Sequence, residues 1–581
     1  MTDNLKKAIE SGERIGVIGS PSSTSNVTID ILGTAIDKKL VGNLCIFGYP
    51  QESKSNYALG QIVEVNMKNT WSEDPTMRGL IRQRGCVPPV TERQDIHIAE
   101  LITSAVFSVD ADGIEPSIFG TVPSTGTYVK LMDEKIMSSL FNEYKNELFY
   151  LGKAYGTDIK MPMWFKHFGD SVGGAGEAYH IGIFGKTGSG KSVLAKMMMM
   201  GYARHKNMSI FVLDPQGELS KNLVSKETEA ALDKVGKKID IYNLHNLVLS
   251  GWDIFIKILV DSGFFERLGI IHEDNRKRAG AEVSKILNPK GRTLSTLKAF
   301  KSAEEIKPWT AHKREVFNVV WDALGQEEVQ KNIYSGKDYV ARIQSNYENA
   351  DVEEFYEIWK RIANLFTTEG KTNANYIKNI VEKLGNSDGK ITIVNLSQAE
   401  VPQDILWNES IKLTVINEFL LKIVATAEKK FNEHTLLNSL IVIDEAHRLA
   451  PRDTPDSEHL QQLRALLIDS VQTTRKYGLG WMFISQTLAS LSTEIISQLR
   501  IHIFGFGLAW GMERNSLRDL IGGLDDALRL YQLFKDPQSS IRKKEYPFMA
   551  IGPISPLSLS GRPLFFNALS YPSEFLKINF P

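Results

Sequence analysis

Up to about Leu148, apolar positions fall in short runs rich in Val and Ile, broken by Gly, Ser and Asn. They are RIGVIGS (14–20), SNVTIDIL (25–32), NLCIFGY (43–49), GQIVEVNM (60–67), HIAELITSAVFSV (97–109) and TYVKLM (127–132). Such runs predict strands, and their spacing predicts a small barrel or sandwich. Residues 133–152 read as a helix leading out of it. Near residue 178 the pattern changes. HIGIFG (180–185) is a buried-type strand, followed by a Gly-rich turn, the helical stretch SVLAKMMMMGYARH and the strand SIFVLD (209–214). Strand, loop, helix, strand opens a parallel α/β unit. Residues 249–382 turn helical and strongly charged, as an insertion would. Parallel-sheet signals return at ITIVNL (391–396), SLIVIDEA (439–446) and WMFISQ (481–486). A Pro- and Ser-bearing tail follows Pro553 and closes in strand-like pieces. The expected organisation is α/β: a barrel over 1–150, a core over 151–248 and 383–553, a helical subdomain over 249–382, and an extension over 554–581.

Composition narrows the function classes. The 581 residues are 42% hydrophobic and 24% charged, with a net charge of −1. A disordered chain, a collagen-like chain and a disulfide-stapled scaffold are excluded. A uniformly basic nucleic-acid coat is excluded too; a nucleic-acid partner requires the positive charge to be gathered in one groove or pore. Cys45 and Cys86 are the only cysteines, which points to a reducing compartment. No apolar stretch follows the basic residues near the start, and no run reaches about 18 apolar residues. The expectation is a soluble, cytoplasmic protein.

The strongest chemical signal is Gly185-Lys186-Thr187-Gly188-Ser189-Gly190-Lys191-Ser192. It matches G-x-x-x-x-G-K-[ST], with a buried strand before it and a helix after. Glycines allow the loop's N–H groups to converge on phosphate oxygens. Lys191 is expected at the β- and γ-phosphates, and the Ser192 hydroxyl on Mg²⁺. The loop residues and Val193, at the helix start, form the expected ATP contact. The second signal is Leu440–Ile443 followed by Asp444 and Glu445. Two carboxylates at the C-terminal end of a buried strand sit where ligands bind in open α/β sheets. Asp444 is expected to hold Mg²⁺ through water, and Glu445 to polarise the attacking water. Three further candidates are Asp214, in Asp214-Pro215-Gln216-Gly217-Glu218, Gln486, as water orienter or γ-phosphate sensor, and Arg475, as an arginine supplied to a neighbour. Each has a plainer alternative: a strand-ending turn, a polar strand terminus and a helix-end arginine.

In this order, the P-loop, VLDPQGE, VIDEAH, RKYG and ISQ resemble HerA-like ATPases of the HerA–FtsK superfamily. The resemblance covers roughly 14–250 and 385–575, and takes in a HAS-type barrel with Pro123-Ser124-Thr125-Gly126-Thr127-Tyr128-Val129 near its end. It implies a RecA-like P-loop core, a homo-hexameric ring hydrolysing ATP between subunits, and double-stranded DNA in the pore. It also implies a partner: a nuclease of the NurA type, or a sirtuin-like or nuclease effector in anti-phage defence. One departure stands out. Some relatives carry an arginine shortly before the P-loop, whereas Gly169–Gly185 here contains no Lys or Arg and only His180 as a nearby candidate.

Weaker signals have bland explanations. Residues 271–314 hold eleven Lys/Arg against five Asp/Glu, and a solvated helical face is favoured over a phosphate-binding one. Met197–Met200 covers every helix face, as core and subunit packing would. His447 is expected to be structural. The apolar tail FFNALSYPSEFLKINF fits either a clasp on a neighbour or packing on its own domain. The leading functional expectation is a DNA-translocating motor or helicase. The alternatives are a scaffold that gates a toxic effector and an export ATPase at a membrane pore.

Overall fold

A computed structural model describes residues 2–85, 94–110, 113–171, 173–223, 225–288, 306–334, 336–385, 389–539, 544–558 and 561–581. The N-terminal strands are β1 (Arg14–Ile18), β2 (Val27–Ile31), β3 (Leu44–Gln51), β4 (Lys54–Lys68), β5 (Ile96–Val109), β6 (Ile114–Ser117) and β7 (Tyr128–Leu131). Their order is β2-β1-β7-β3-β4-β5-β6, and β2 also pairs with β5. That last pairing closes β1, β2, β5, β4, β3 and β7 into a barrel, with β6 as an appendage on β5. Closure removes the exposed strand edges that an open sheet would leave. Alternating side chains fill the interior, among them Ile15, Val27, Phe47, Ile62, Leu101 and Val129. Cys45 is buried there as a free thiol, and burial pushes its thiol pKa up; Cys86 lies outside the described residues.

The second sheet contains β8 (Leu148–Ala154), β9 (Lys160–Trp164), β10 (His180–Phe184), β11 (Ser209–Asp214) and β12 (Ile239–Asn243). After a short parallel pair, β13 (Leu247–Val248) and β14 (Asn375–Tyr376), it gains β15 (Ile391–Asn395), β16 (Ser439–Ile443), β17 (Leu479–Ser485), β18 (Leu499–Gly505), β19 (Pro547–Ile551) and β20 (Leu564–Ala568). The order is β12-β15-β11-β16-β17-β10-β18-β19-β20-β8-β9. From β12 to β18 the pairings are parallel; from β18 to β9 they are antiparallel. β17 thus lies between the strand that feeds the P-loop and the strand that ends at Asp444. This is a RecA-like core carrying an antiparallel wing.

One expectation about an element is corrected here. Residues 133–152 do not form one helix. A helix occupies Glu134–Leu140 and is capped by Asp133, after which the chain becomes β8. The LFYLGKA run has partners on both sides, β20 and β9, which override its helical look. Of the two readings of the tail, the structure supports packing on its own domain, through the helix Ser573–Asn579. Phe575 and Phe580 meet Phe149 edge-on, and the Asn579 amide bridges the Tyr150 backbone. Met197–Met200 are all fully buried within the chain, so none is left for a subunit contact.

Helices fill the stretch between β12 and β15. Their aromatic core includes Phe255, Phe264, Phe317, Trp321, Phe355 and Trp359. Their basic residues are largely engaged: Arg276 with Glu266, Lys277 with Glu273 and Glu458, Lys285 with Glu282, and Arg314 with Glu353. That is the solvated, ion-paired face favoured from the sequence. Lys290, Arg292, Lys298 and Lys301 lie outside the described residues. Among the described residues no helix is long and apolar enough to cross a membrane.

Candidate active site

Because β11, β16, β17 and β10 are parallel, their C-terminal ends share one edge of the sheet. Asp214, the Asp444–Glu445 pair, Gln486 and the P-loop all lie there, where the exits of a parallel sheet form a crevice. The loop from Gly185 to Gly190 has three glycines at positive φ: Gly185 at 152°, Gly188 at 82° and Gly190 at 91°. Gly190 caps the helix Lys191–Ala203 with no side-chain hydrogen bond. The first N–H groups of that helix, those of Lys191, Ser192 and Val193, are therefore free for an anion. The Lys191 ammonium is buried and donates to the Lys186 carbonyl, which also accepts the Ser189 N–H, both at 3.1 Å. The Ser189 hydroxyl is buried without a hydrogen-bond partner.

A chain of side chains crosses the mouth of the loop. Thr187 Oγ1 donates to Gln486 Oε1 at 3.0 Å, and Gln486 Nε2 donates to Glu445 Oε1 at 2.7 Å. The second Glu445 oxygen has no hydrogen-bond partner; His447 Nδ1 stands 3.5 Å away and also lies 3.2 Å from Ser485 Oγ. His447 thus touches the site. Glu445 has φ of 51°. A glutamate in the left-handed region is strained, and such strain clusters at sites where function holds it. Its N–H donates to Asp444 Oδ1 at 2.9 Å.

The electrostatics are those of crowded carboxylates around one ammonium. Asp444 is raised to about 7, by burial first and then by the charge of Glu445, with Asp214 and Glu218 adding to it. Lys191 is lowered by burial, against the pull of Glu445, Asp444 and Glu218. Asp214 has both oxygens occupied: Oδ1 accepts from Gly217 N at 2.8 Å and Oδ2 from Ser220 N at 2.7 Å. It closes the turn into the next helix and adds charge rather than a free ligand.

Arg475 lies elsewhere. It sits in the 3₁₀ turn Thr474–Tyr477, before β17, on the opposite edge of the sheet. The seven residues of β17, at about 3.3 Å each, put roughly 20 Å between it and the P-loop of its own chain. His180, at the start of β10, is on that far edge as well. It is buried and bonded to Val471 O at 2.8 Å, so it does not stand in for an arginine at the phosphates.

Sequence patterns missed the cover over the loop. A Cβ on Gly188 would lie 2.7 Å from the Gln538 side chain, and one on Gly190 would lie 2.7 Å from the Tyr546 ring. Lys544 donates to Gln538 at 3.1 Å. No motif marks this segment; only the placement of β19 beside β18 brings it over the P-loop.

A glycine loop feeding an uncapped helix, one buried lysine and a strand-end Asp-Glu pair tied to a glutamine on the neighbouring strand define a P-loop ATPase. Residues 178–424 match the family model described as "Helicase HerA, central domain". No curated protein matches the chain. Among solved structures, VirB4 of Thermoanaerobacter pseudethanolicus is 15% identical, covers 73% of this chain and 97% of its own, with a TM-score of 0.36. The genome packaging NTPase B204 of Sulfolobus turreted icosahedral virus 2, in complex with AMPPCP, is 10% identical and covers 68% and 98%, with a TM-score of 0.28. These TM-scores are too low to carry an argument about function.

Proposed function

We propose that the chain is the subunit of a hexameric ring that hydrolyses ATP at its subunit interfaces and moves double-stranded DNA through its pore. The observation that carries this is the division of the catalytic groups. Lys191, Glu445 and Gln486 meet at one edge of the sheet, while Arg475 faces out from the other. A site completed by the next copy accounts for both. In this account Glu445 takes a proton from the attacking water through its unpartnered oxygen. Gln486 fixes the other oxygen and reports the state of the γ-phosphate to the strand behind it. Lys191 and the free helix N–H groups hold the phosphates.

Mg²⁺ fits this donor set. Buried carboxylates outnumber the single lysine, and such a charge excess is relieved by a divalent cation. Ser192 and Asp444 would hold it, and bound there it would offset the phosphate charge. The partner is proposed to be an effector of the nuclease or sirtuin-like type, acting in DNA end processing or anti-phage defence.

The test is the ATPase rate of the purified protein with and without double-stranded DNA across a salt series. Strong stimulation that fades with salt is expected, because phosphate contacts release counterions. Turnover indifferent to DNA at every salt would count against a motor and favour the effector-gating scaffold.

A further inference from the structure

On the sheet edge opposite the P-loop, one carboxylate joins two arginines. Glu177 Oε2 lies 3.2 Å from Arg475 Nη2, and Glu177 Oε1 lies 3.2 Å from Arg500 Nη1. Both arginine side chains remain about half exposed, at 55% and 53%, so their guanidinium groups stay open to a partner outside the chain.

The backbones that carry these arginines are fixed from β10, the strand that leads to the P-loop. The Ala178 N–H donates to the Arg475 carbonyl at 3.2 Å. The buried ring of His180 bonds Val471 O at 2.8 Å and accepts the Trp481 N–H at 3.2 Å. The Trp481 indole N–H then holds Thr474 Oγ1 at 2.9 Å, one residue before Arg475. Arg500 is placed by a different device. Along the β10–β18 ladder, His180 pairs with Leu499 and Ile181 with Ile501, so Arg500 is the extra residue of a β-bulge. Bulges re-aim a side chain away from the regular ladder. Gly552 permits the bulge: a Cβ there would lie 2.1 Å from the Arg500 carbonyl oxygen.

We propose that Arg475 and Arg500 act as a pair on the nucleotide phosphates of the adjoining subunit, and that Glu177 is the positioning residue that holds them together. This rests on the interfacial-site reading above. Two guanidinium groups repel each other unless an anion lies between them. Glu177 supplies that anion within the chain. Its two oxygens keep the arginines at a spacing that a phosphate's oxygens also span. Glu177 stands in the stretch before the P-loop that contains no Lys or Arg, and the second arginine of the cluster comes from β18.

The test uses full-length Arg475→Ala, Arg500→Ala, Arg500→Lys, Glu177→Gln and Lys191→Ala proteins, with kcat and KM for ATP measured alone and in pairwise mixtures. Arg500→Ala is expected to lose kcat about tenfold or more with little change in KM, and Arg500→Lys to recover only part of it. Mixing Arg500→Ala with Lys191→Ala is expected to restore activity above the sum of the two, because an intact P-loop then faces an intact arginine edge. Glu177→Gln is expected to lower kcat about threefold to tenfold at unchanged melting temperature and elution volume, which a purely structural role would alter. Wild-type kcat in Arg500→Ala, with Arg475→Ala impaired and rescued by Lys191→Ala, would overturn the pair and leave the interfacial site standing. Impairment of Arg475→Ala with no rescue in any mixture would overturn the interfacial site itself, and the pair with it.

Discussion

Glu445 concentrates the chemistry of this site in one side chain. One oxygen is fixed by Gln486, the other is buried and unpartnered, and the backbone beneath is left-handed. Replacing it with Gln keeps the shape and removes the proposed base. Glu445→Gln is expected to lower kcat about 100-fold or more while ATP binding persists, checked by phosphate release and by nucleotide titration. Lys191→Ala is expected to lose binding itself. Asp444 behaves differently, because burial and Glu445 hold its pKa near 7 in the absence of a cation. At neutral pH its charge costs folding stability. Asp444→Asn is therefore expected to raise the melting temperature of the nucleotide-free protein by about 2 °C or more while abolishing turnover; a lower melting temperature would contradict the crowded-carboxylate account. These residues were legible in the sequence because P-loop and Asp-Glu motifs encode local geometry at strand ends. Gln538 and Tyr546 were not, since their place over Gly188 and Gly190 arises only from sheet order.

At the scale of elements, the far edge of the sheet depends on a neutral histidine. His180 accepts the Trp481 N–H at Nδ1 and so must donate from Nε2 to Val471 O. Burial lowers its pKa to about 4, against 6.5 for an unburied ring. Between those values the unfolded chain binds more protons than the folded one. The stability it contributes at neutral pH is lost as pH falls from about 6.5 toward 4. The stability advantage of wild type over His180→Asn, read from urea midpoints, is expected to shrink from pH 7 to pH 5. An advantage independent of pH would sink this assignment. The tail is a second such case. Phe575 is fully buried between Phe149, Tyr571 and Phe580. Phe575→Ala is expected to cost about 3–5 kcal/mol in chemical unfolding. Alternation and buried runs marked most of the strands, because period and length are local properties. The stretch 133–152 was misread as one helix for the converse reason: β8 is made a strand by β20 and β9, both remote or short in sequence.

At the scale of the molecule, a closed barrel, a parallel core with an antiparallel wing and a helical insertion sit on one chain, with Arg475 on the sheet edge opposite the P-loop. The barrel and the α/β core were foreshadowed by spacing and by strand–loop–helix order. Arg475 was named in the sequence as an arginine for a neighbour, but its sheet edge was not, because a motif gives the order of residues along the chain and not which edge of a sheet each one reaches. In the proposed interfacial site, Lys191 and Glu445 take an arginine from the next copy, because their own subunit holds Arg475 roughly 20 Å away across β17. The measurement that tests this most directly is specific ATPase activity against protein concentration, with the oligomeric state followed by light scattering in the same samples. A cooperative rise that tracks assembly into a ring is the predicted result. Constant specific activity at concentrations where only monomer is present would contradict it.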